Sequence, residues 1–306
     1  MVSLHIDTDI GGDIDDLCAL VLAVGWQGAE LAAVTTVHDL DGTRAALARH
    51  ALTLAGVGDE VTVARGAGGT LSGDRPVSAV ENVERYWGEA MEPLSTPAGD
   101  ALSLLEKSAI AGTTIVAIGP FTNLALLEIA RPGLLASAPL VVMGGYTGLS
   151  PAGYPEWGPN MDWNVQSDQA AARLVFARCN PIVVPLSATV QTYLTESDLK
   201  RFEGAGPLAD LIAKQARAYA NEHAHRKLAG ENVSLPSGFL NFQHDALAVA
   251  VALGWQGASI VDRSVRPELR DGSLLLASGG QNLRVVTAVD AAGLAGRFVE
   301  SVMRIT

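Results

Sequence analysis

Five aspartates lie within ten residues of one another near the start of the chain. They are Asp7, Asp9, Asp13, Asp15 and Asp16. Two unit charges about 4 Å apart repel by roughly 4 kcal/mol near a protein surface. A helix N-terminus offsets only about 0.3–1 kcal/mol for each acid. A hard cation such as Ca²⁺ or Mg²⁺, bound through carboxylate oxygens, is the simplest full compensation, so this stretch predicts a metal site.

The surrounding pattern places these acids between a strand and a helix. Residues 2–6 are apolar and alternate as in a buried strand, and residues 15–24 carry apolar side chains at helical spacing. Open α/β proteins place their ligand sites at such a strand–turn–helix junction. Strands alternate with helices along the rest of the chain, which predicts an α/β fold with an open, mostly parallel, doubly wound sheet and flanking helices. No linker is evident, so residues 1–306 are expected to form one domain.

Three other interpretations of the acidic stretch can be compared with this one. An EF-hand loop starting at Asp7 would have Gly11 and Cys18 at ligand positions, so that motif fails. A phosphotransferase that uses Asp7 as its nucleophile remains open on these residues alone. Asp13 could also cap the helix while the other acids are solvated, although this explains only one or two of the five.

Composition limits the kind of partner. The 306 residues carry a net charge of −12, which disfavours nucleic acid polymers and anionic membranes but tolerates a neutral small molecule. Cys18 and Cys179 have no metal or redox spacing, so we expect reduced thiols and a cytoplasmic location. No apolar segment reaches membrane-spanning length.

A second segment repeats the first helix. DLCALVLAVGWQGAE starts at Asp16 and DALAVAVALGWQGAS starts at Asp245. The two could simply be similar helices capped by Gly25 and Gly254. Alternatively, both helices direct their N-terminal carboxylates at one shared ion. The second aspartate is preceded by His244, which the first helix lacks.

Four motifs together resemble a known family. They are DTDIGGDIDDLCAL, VAIGPFTNLAL, VVMGGYTG followed by NMDWNVQSDQAAA, and FQHDALAVA. This set resembles the nucleoside hydrolases, the calcium-dependent N-ribohydrolases of the inosine–uridine-preferring type, over most of the chain. The resemblance implies a nucleoside substrate, and we expect a homodimer or homotetramer.

The resemblance also implies a division of roles among the polar residues. The expected Ca²⁺ ligands are Asp9, Asp16, Asp245 and the carbonyl of Ile118. Asp9 would act as general base towards water, and His244 would protonate the departing base. Another proton source is the segment that carries Tyr219, His223 and His225.

Further residues are expected to bind the substrate. Asp162, Trp163 and Asn164 fill an acid–aromatic–Asn triplet that resembles the family's ribose clamp, with Asp162 where the family usually has Glu. Both Asp13 and Asp15 could contact ribose, and Asp15 is favoured because it adjoins Asp16. The remaining expected contacts are Asn160, Met143 and Trp87, the last of which stands where some members carry a base-facing His.

One segment departs from the family pattern. After residues 35–37 the family commonly has Gly followed by Asn or Asp, whereas this chain has His38, Asp39, Leu40 and Asp41. The family's base recognition therefore cannot be transferred. The predicted function is calcium-dependent hydrolysis of the N-glycosidic bond of ribonucleosides, giving free base and ribose. The alternatives are a non-catalytic ribose- or nucleoside-binding protein on the same scaffold, or the aspartyl phosphotransferase.

Overall fold

The computed structural model describes residues 1–73, 76–97 and 99–306. Nine strands form one sheet, in the order β10-β9-β11-β6-β5-β4-β1-β2-β3. These strands are β1 Val2–Thr8, β2 Ala29–Thr36, β3 Thr62–Arg65, β4 Thr114–Ala117, β5 Leu140–Met143, β6 Ile182–Val184, β9 Ala258–Arg270, β10 Ser273–Ser278 and β11 Gln281–Val289. A separate antiparallel pair consists of β7 Tyr193–Thr195 and β8 Phe239–Phe242.

Helices flank the large sheet. They are α1 Asp15–Gly25, α2 Thr43–Leu54, α3 Val83–Trp87, α4 Asp100–Ala111, α5 Thr122–Ala130, α6 Leu134–Ser137, α7 Trp163–Ser167, α8 Gln169–Arg178, α9 Leu186–Thr189, α10 Glu196–Leu199, α11 Pro207–Glu222, α12 His225–Glu231, α13 His244–Ala252 and α14 Ala291–Ile305. A short 3₁₀ turn spans Pro159–Met161. Within the described ranges, no helix combines the length and the apolar character needed to cross a membrane.

Strand order explains where a ligand can bind. β1 lies between β2 and β4 and pairs with both in parallel. The chain first builds outward through β2 and β3, then returns to the other side of β1 and continues through β4, β5 and β6. The loops after β1 and β4 therefore leave the sheet in opposite directions, which opens a crevice at the carboxyl ends of the strands. This architecture confirms the predicted open, mostly parallel α/β sheet.

Two local predictions differ from the structure. Residues 206–226 read as one helix in the sequence, but Ala224 has a φ of 51° and separates α11 from α12. The segment after residue 258 was expected to contain short strands, yet β9 is 13 residues long. Most of β9 is exposed, and it pairs antiparallel with β10 and β11. Because most of its residues are exposed, the sequence of β9 lacks the apolar pattern that would reveal the full length of the strand.

Packing around α1 links the two ends of the chain. α1 contacts both α13 and α14, and its interior face is fully buried. A Cβ added at Gly25 would lie 2.3 Å from the carbonyl oxygen of Ser301 in α14, so only glycine permits this approach. Gly254, by contrast, has a φ of +75° and nothing near its missing Cβ, as expected for a left-handed helix cap. The two repeated glycines therefore serve different purposes.

We expect Gly25→Ala to lower stability, because the added methyl must push the α14 backbone away. Overpacking of this kind costs about 1–3 kcal/mol, which should lower the melting temperature by several degrees. Gly296→Ala in α14 is the matched control, since nothing lies within 4 Å of its missing Cβ. That substitution should be neutral or stabilise by about 0.5–1 kcal/mol. Equal melting temperatures for both variants in thermal unfolding would contradict the close-packing argument.

Candidate active site

A cavity of about 500 Å³ opens at the carboxyl ends of the central strands. One part of its wall is acidic, formed by Asp9, Asp13, Asp15, Asp16, Glu81, Glu222 and Asp245. Another part carries aromatic and imidazole rings, those of Tyr86, Trp157, Trp163, Tyr219, His223, His225, Phe242 and His244. Arg44 is the cation among the lining residues that the structure describes. Such a wall combines flat apolar surfaces for a ring with many acceptors for hydroxyl groups.

Three buried carboxylates converge at the base of this wall. Each of Asp15, Asp16 and Asp245 offers an oxygen, and these oxygens lie within 4.8 Å of one another. α1 and α13 supply them from their first turns, which is where helix dipoles favour negative charge. The structure therefore brings together the two aspartates of the repeated segments, Asp16 and Asp245.

The electrostatics of this group call for a counter-charge. Burial, reinforced by repulsion among the acids, raises the pKa values of Asp15, Asp16 and Asp245 well above the ordinary range. The hydroxyl of Thr8 donates to Asp16, but a single neutral donor does not balance three charges. Hard oxygen ligands in a buried cluster fit a Ca²⁺ or Mg²⁺ ion.

Asp9 lies beside this group, in the loop that follows β1. Its charge is the leading repulsive contribution to the raised pKa of Asp16. Its Oδ2 accepts a hydrogen bond from the indole Nε1 of Trp163 at 3.2 Å. Its backbone carbonyl accepts from the guanidinium of Arg44, which also donates to the carbonyls of Ile10 and His38. Asp9 is thus bound through both its backbone and its side chain.

The side-chain amide of Asn164 connects two backbone carbonyls in the wall of the cavity. Its Nδ2 donates to the carbonyl oxygen of Ile118 at 2.8 Å and to that of Met143 at 3.2 Å. Its side-chain oxygen accepts no hydrogen bond from any residue that the structure describes, so it is available to a ligand hydroxyl. Ile118, Met143 and Asn164 all line the cavity, a position that is compatible with the metal and substrate contacts expected of them.

The structure separates the environments of Asp13 and Asp15, although both line the cavity. Asp13 accepts a hydrogen bond from the Ile14 amide at 2.5 Å and another from the Tyr219 hydroxyl. Burial raises the pKa of Asp13 to about 6. Among the described residues, the carboxylate of Asp15 accepts only from its own backbone amide, and it belongs to the convergent group, which favours it over Asp13 for contact with a ligand.

Asp162 is not brought into the cavity. Its carboxylate is fully buried, with Oδ2 accepting from the Gly145 amide at 2.6 Å and Oδ1 from the Val165 amide at 3.2 Å. It therefore caps α7 and holds the glycine turn after β5. Burial raises its pKa to about 6. An aspartate is one methylene shorter than the family's usual glutamate, which explains why its oxygens reach the backbone and no further.

Two other predicted contacts also lie away from the cavity. Asn160 is exposed on the 3₁₀ turn, while its neighbour Met161 lines the cavity. Trp87 is buried in the core and packs edge-on against His50. The adjacent Tyr86 lines the cavity instead and donates to Glu222. In both cases the segment was identified correctly but the inward-facing residue is its neighbour.

Asp7 occupies a different environment from the other four aspartates. It is fully buried outside the cavity, and its Oδ1 accepts from the Thr35 hydroxyl at 2.5 Å and from Asn123 at 2.8 Å. Burial raises its pKa to about 7. A phosphoryl donor cannot reach this carboxylate, so the geometry gives no support to an Asp7 nucleophile.

The unusual segment after β2 is structural. His38 takes a left-handed backbone with a φ of 51°, at the place where the family has glycine. Asp39 is buried and accepts from the amides of Gly42, Arg44 and Ala45 at the start of α2. These contacts anchor α2, and through it the Arg44 guanidinium, against the loop after β1.

His244 lines the cavity as the first residue of α13. Its Nδ1 lies 2.7 Å from the Thr189 hydroxyl, and its ring lies 5.2 Å from that of Phe242. Burial lowers the pKa of His244 to about 3, so the imidazole is neutral near pH 7. A neutral imidazole donates a proton only from the nitrogen that carries one, and the bond to Thr189 engages Nδ1.

Several lining residues were not singled out by sequence reasoning as substrate contacts. Tyr219 and His223 stack with ring centroids 3.9 Å apart, and Tyr219 also packs against His225. Their spacing of four residues on α11 is the signal that places both rings on one face. For Arg44 the sequence offers no comparable signal. The triplet that contains Trp163 was noticed, but nothing in it indicates the contact with Asp9, because this contact joins two distant loops.

The chain is similar in sequence to curated ribonucleoside hydrolases. The chain is 29% identical over 278 residues to the pyrimidine-specific ribonucleoside hydrolase RihA of Klebsiella pneumoniae subsp. pneumoniae, covering 87% of this chain and 84% of that protein. It is 32% identical over 235 residues to the protein of the same name from Salmonella paratyphi A, covering 72% of each.

Solved structures share the fold over nearly the whole chain. A plant nucleoside hydrolase superposes with a TM-score of 0.81 at 22% identity, covering 99% of each chain. A purine-preferring ribonucleoside hydrolase from Gardnerella vaginalis gives a TM-score of 0.78 at 21% identity, covering 99% of this chain and 98% of that one. The family model for inosine-uridine preferring nucleoside hydrolases matches residues 4–295. The match, together with the motifs and the placement of their residues, shows that the chain belongs to the inosine-uridine preferring nucleoside hydrolase family.

Proposed function

We propose that this enzyme hydrolyses the N-glycosidic bond of ribonucleosides in a calcium-dependent reaction that gives free base and ribose. The observation that carries the proposal is the convergence of Asp15, Asp16 and Asp245 in one cavity with Asn164 and Ile118. Membership of the nucleoside hydrolase family makes the chain a hydrolase, and the donor set supplies the reason for a hard cation.

Four groups are proposed as the ligands of the cation. They are the carboxylates of Asp9, Asp16 and Asp245 and the carbonyl of Ile118. When bound, the cation supplies positive charge that lowers the pKa of nearby water. Asp15, the third member of the convergent group, is left to accept a hydrogen bond from the sugar.

Side chains of the protein carry out the proton transfer and bind the sugar and the base. Asp9 accepts a proton from the attacking water, and the carboxylate of Asp15 and the side-chain oxygen of Asn164 accept hydrogen bonds from the hydroxyl groups of the sugar. The reaction passes through an oxocarbenium-like state at the sugar, which the surrounding carboxylates stabilise electrostatically. The rings of Tyr219, His223 and Phe242 provide a surface for the planar base.

The deciding experiment is base release from a panel of nucleosides with and without a chelator. The panel includes purine and pyrimidine nucleosides, because the relatives are named for either preference. Base release that the chelator abolishes and Ca²⁺ restores is the expected result. Binding of nucleosides without base release would instead support the non-catalytic binding protein.

Asp16→Ala and Asp245→Ala should each abolish activity and weaken Ca²⁺ binding, since each removes an anionic ligand from a hard cation. Asp100→Ala is the control, because Asp100 also lies in the first turn of a helix but is exposed. Isothermal calorimetry with Ca²⁺ measures the effect directly. Full Ca²⁺ affinity in either cavity variant would show that the two helices do not share an ion.

Asn164→Ala should impair sugar recognition, whereas Asp162→Ala should mainly lower stability. Loss of the Asn164 contacts is expected to reduce kcat/KM for ribonucleosides by about 5- to 150-fold, corresponding to about 1–3 kcal/mol. The parent enzyme should reject 2′-deoxynucleosides by about 10⁴–10⁵-fold, as sites built around a hydroxyl do. Steady-state kinetics and thermal unfolding of both variants separate the two roles. Comparable hydrolysis of ribo- and 2′-deoxynucleosides by the parent would contradict the clamp.

His244→Ala should lower turnover by about 10²–10⁴-fold for at least one natural base, if His244 assists its departure as a general acid. With a p-nitrophenyl riboside the loss should be much smaller, because p-nitrophenolate leaves without a proton. Turnover of both substrates by the same variant is the measurement. Equal losses would identify His244 as a support for Asp245 and assign the proton to another group.

A further inference from the structure

We propose that Trp163 is a positioning residue for Asp9. Its indole N–H holds Oδ2 of the carboxylate, so that Oδ1 is directed towards the turn that carries the Ile118 carbonyl. This inference rests on the proposed function, because it assigns Asp9 to a cation site. It adds a contact that lies outside the expected ligand set.

Asp9 needs such a contact because no regular element holds it. β1 ends at Thr8, and the loop that follows contains Gly11, with a φ of +130°, and the exposed Gly12. Arg44 fixes the loop only through backbone carbonyls. The backbone contacts leave the side-chain torsions of Asp9 free, so its carboxylate would sample several orientations.

Two contacts on opposite sides define the orientation that is observed. A Cβ at Gly119 would lie 2.9 Å from Oδ1, so this oxygen rests against the residue that follows Ile118. Oδ2 accepts from the Trp163 indole at 3.2 Å. Rotation of the carboxylate would break the indole bond, so the bond selects the orientation with Oδ1 facing the Ile118 turn.

The indole can act as a fixed reference because its backbone is held on both sides. The preceding Asp162 is tied to the Gly145 amide, and the following Asn164 is tied to the Ile118 and Met143 carbonyls. The Trp163 side chain itself is 66% exposed, which is unusual for so large an apolar group. The hydrogen bond to Asp9 accounts for the presence of an indole at this exposed position.

The test compares Trp163→Phe with Trp157→Phe. The first variant keeps the aromatic ring and removes the N–H; the second removes an indole that also lines the cavity but donates to no carboxylate that the structure describes. Because the Trp163 side chain is largely exposed, its replacement should leave folding intact, which thermal unfolding verifies. Ca²⁺ affinity by calorimetry should weaken about three- to tenfold in Trp163→Phe, as expected when one side chain must be immobilised on binding, and should not change in Trp157→Phe.

Intrinsic fluorescence provides a second readout. Ca²⁺ should change the tryptophan emission of the parent and of Trp157→Phe, and this change should be lost in Trp163→Phe. Equal Ca²⁺ affinity in the parent and Trp163→Phe would overturn the inference while leaving the proposed function intact. A higher KM with unchanged Ca²⁺ affinity would also overturn it, because that result assigns Trp163 to substrate stacking. If the parent bound no Ca²⁺, the proposed function and this inference would both fall.

Discussion

Repulsion among buried carboxylates is the constraint on which the site depends. Asp15, Asp16 and Asp245 present oxygens within 4.8 Å of one another, where each pair of charges costs several kcal/mol. The fold meets part of this cost by placing all three at helix N-termini and by adding the Thr8 hydroxyl nearby. These contributions are too small to stabilise three anions, so burial and mutual repulsion raise the pKa values of all three carboxyl groups, and the cluster suits a cation as its counter-charge.

The surrounding elements follow from that requirement. The switch in strand order between β1 and β4 brings the loop of Asp9 next to the carbonyl of Ile118. Arg44 fixes the first loop, while Asn164 holds the second from the far side of the cavity. Both side chains thus act on backbone carbonyls and fix the positions of the two loops relative to the carboxylate cluster.

Much of this arrangement could be predicted from the sequence. The density of aspartates after an apolar strand indicated a carboxylate cluster in need of a counter-charge, and the repeated helix offered a reason for Asp16 and Asp245 to meet across the fold. Both inferences rely on charge and periodicity, which are properties of the sequence itself. The alternation of strands and helices likewise predicted the parallel part of the sheet, where buried apolar segments are easy to recognise.

Other features depend on distances that a sequence does not contain. Whether Trp87 or Tyr86 faces the cavity depends on the rotation of a five-residue helix, and the reach of Asp162 depends on one methylene. The contact between Trp163 and Asp9 joins two loops whose approach only the complete fold determines. The length of β9 was underestimated for another reason, since short strands were predicted there and a largely exposed strand carries no apolar pattern that would mark its full extent.

The placement of α1 has a consequence for how the protein is made. α1 is synthesised well before its packing partners α13 and α14, which follow the parallel strands β1–β6 in the sequence. Until α13 and α14 are synthesised, the face of α1 that they bury has no packing partner, and the carboxylate of Asp16 is without that of Asp245. A nascent chain therefore cannot assemble the carboxylate cluster before α13 is made, and a truncation that removes α13 and α14 leaves α1 without its packing surface.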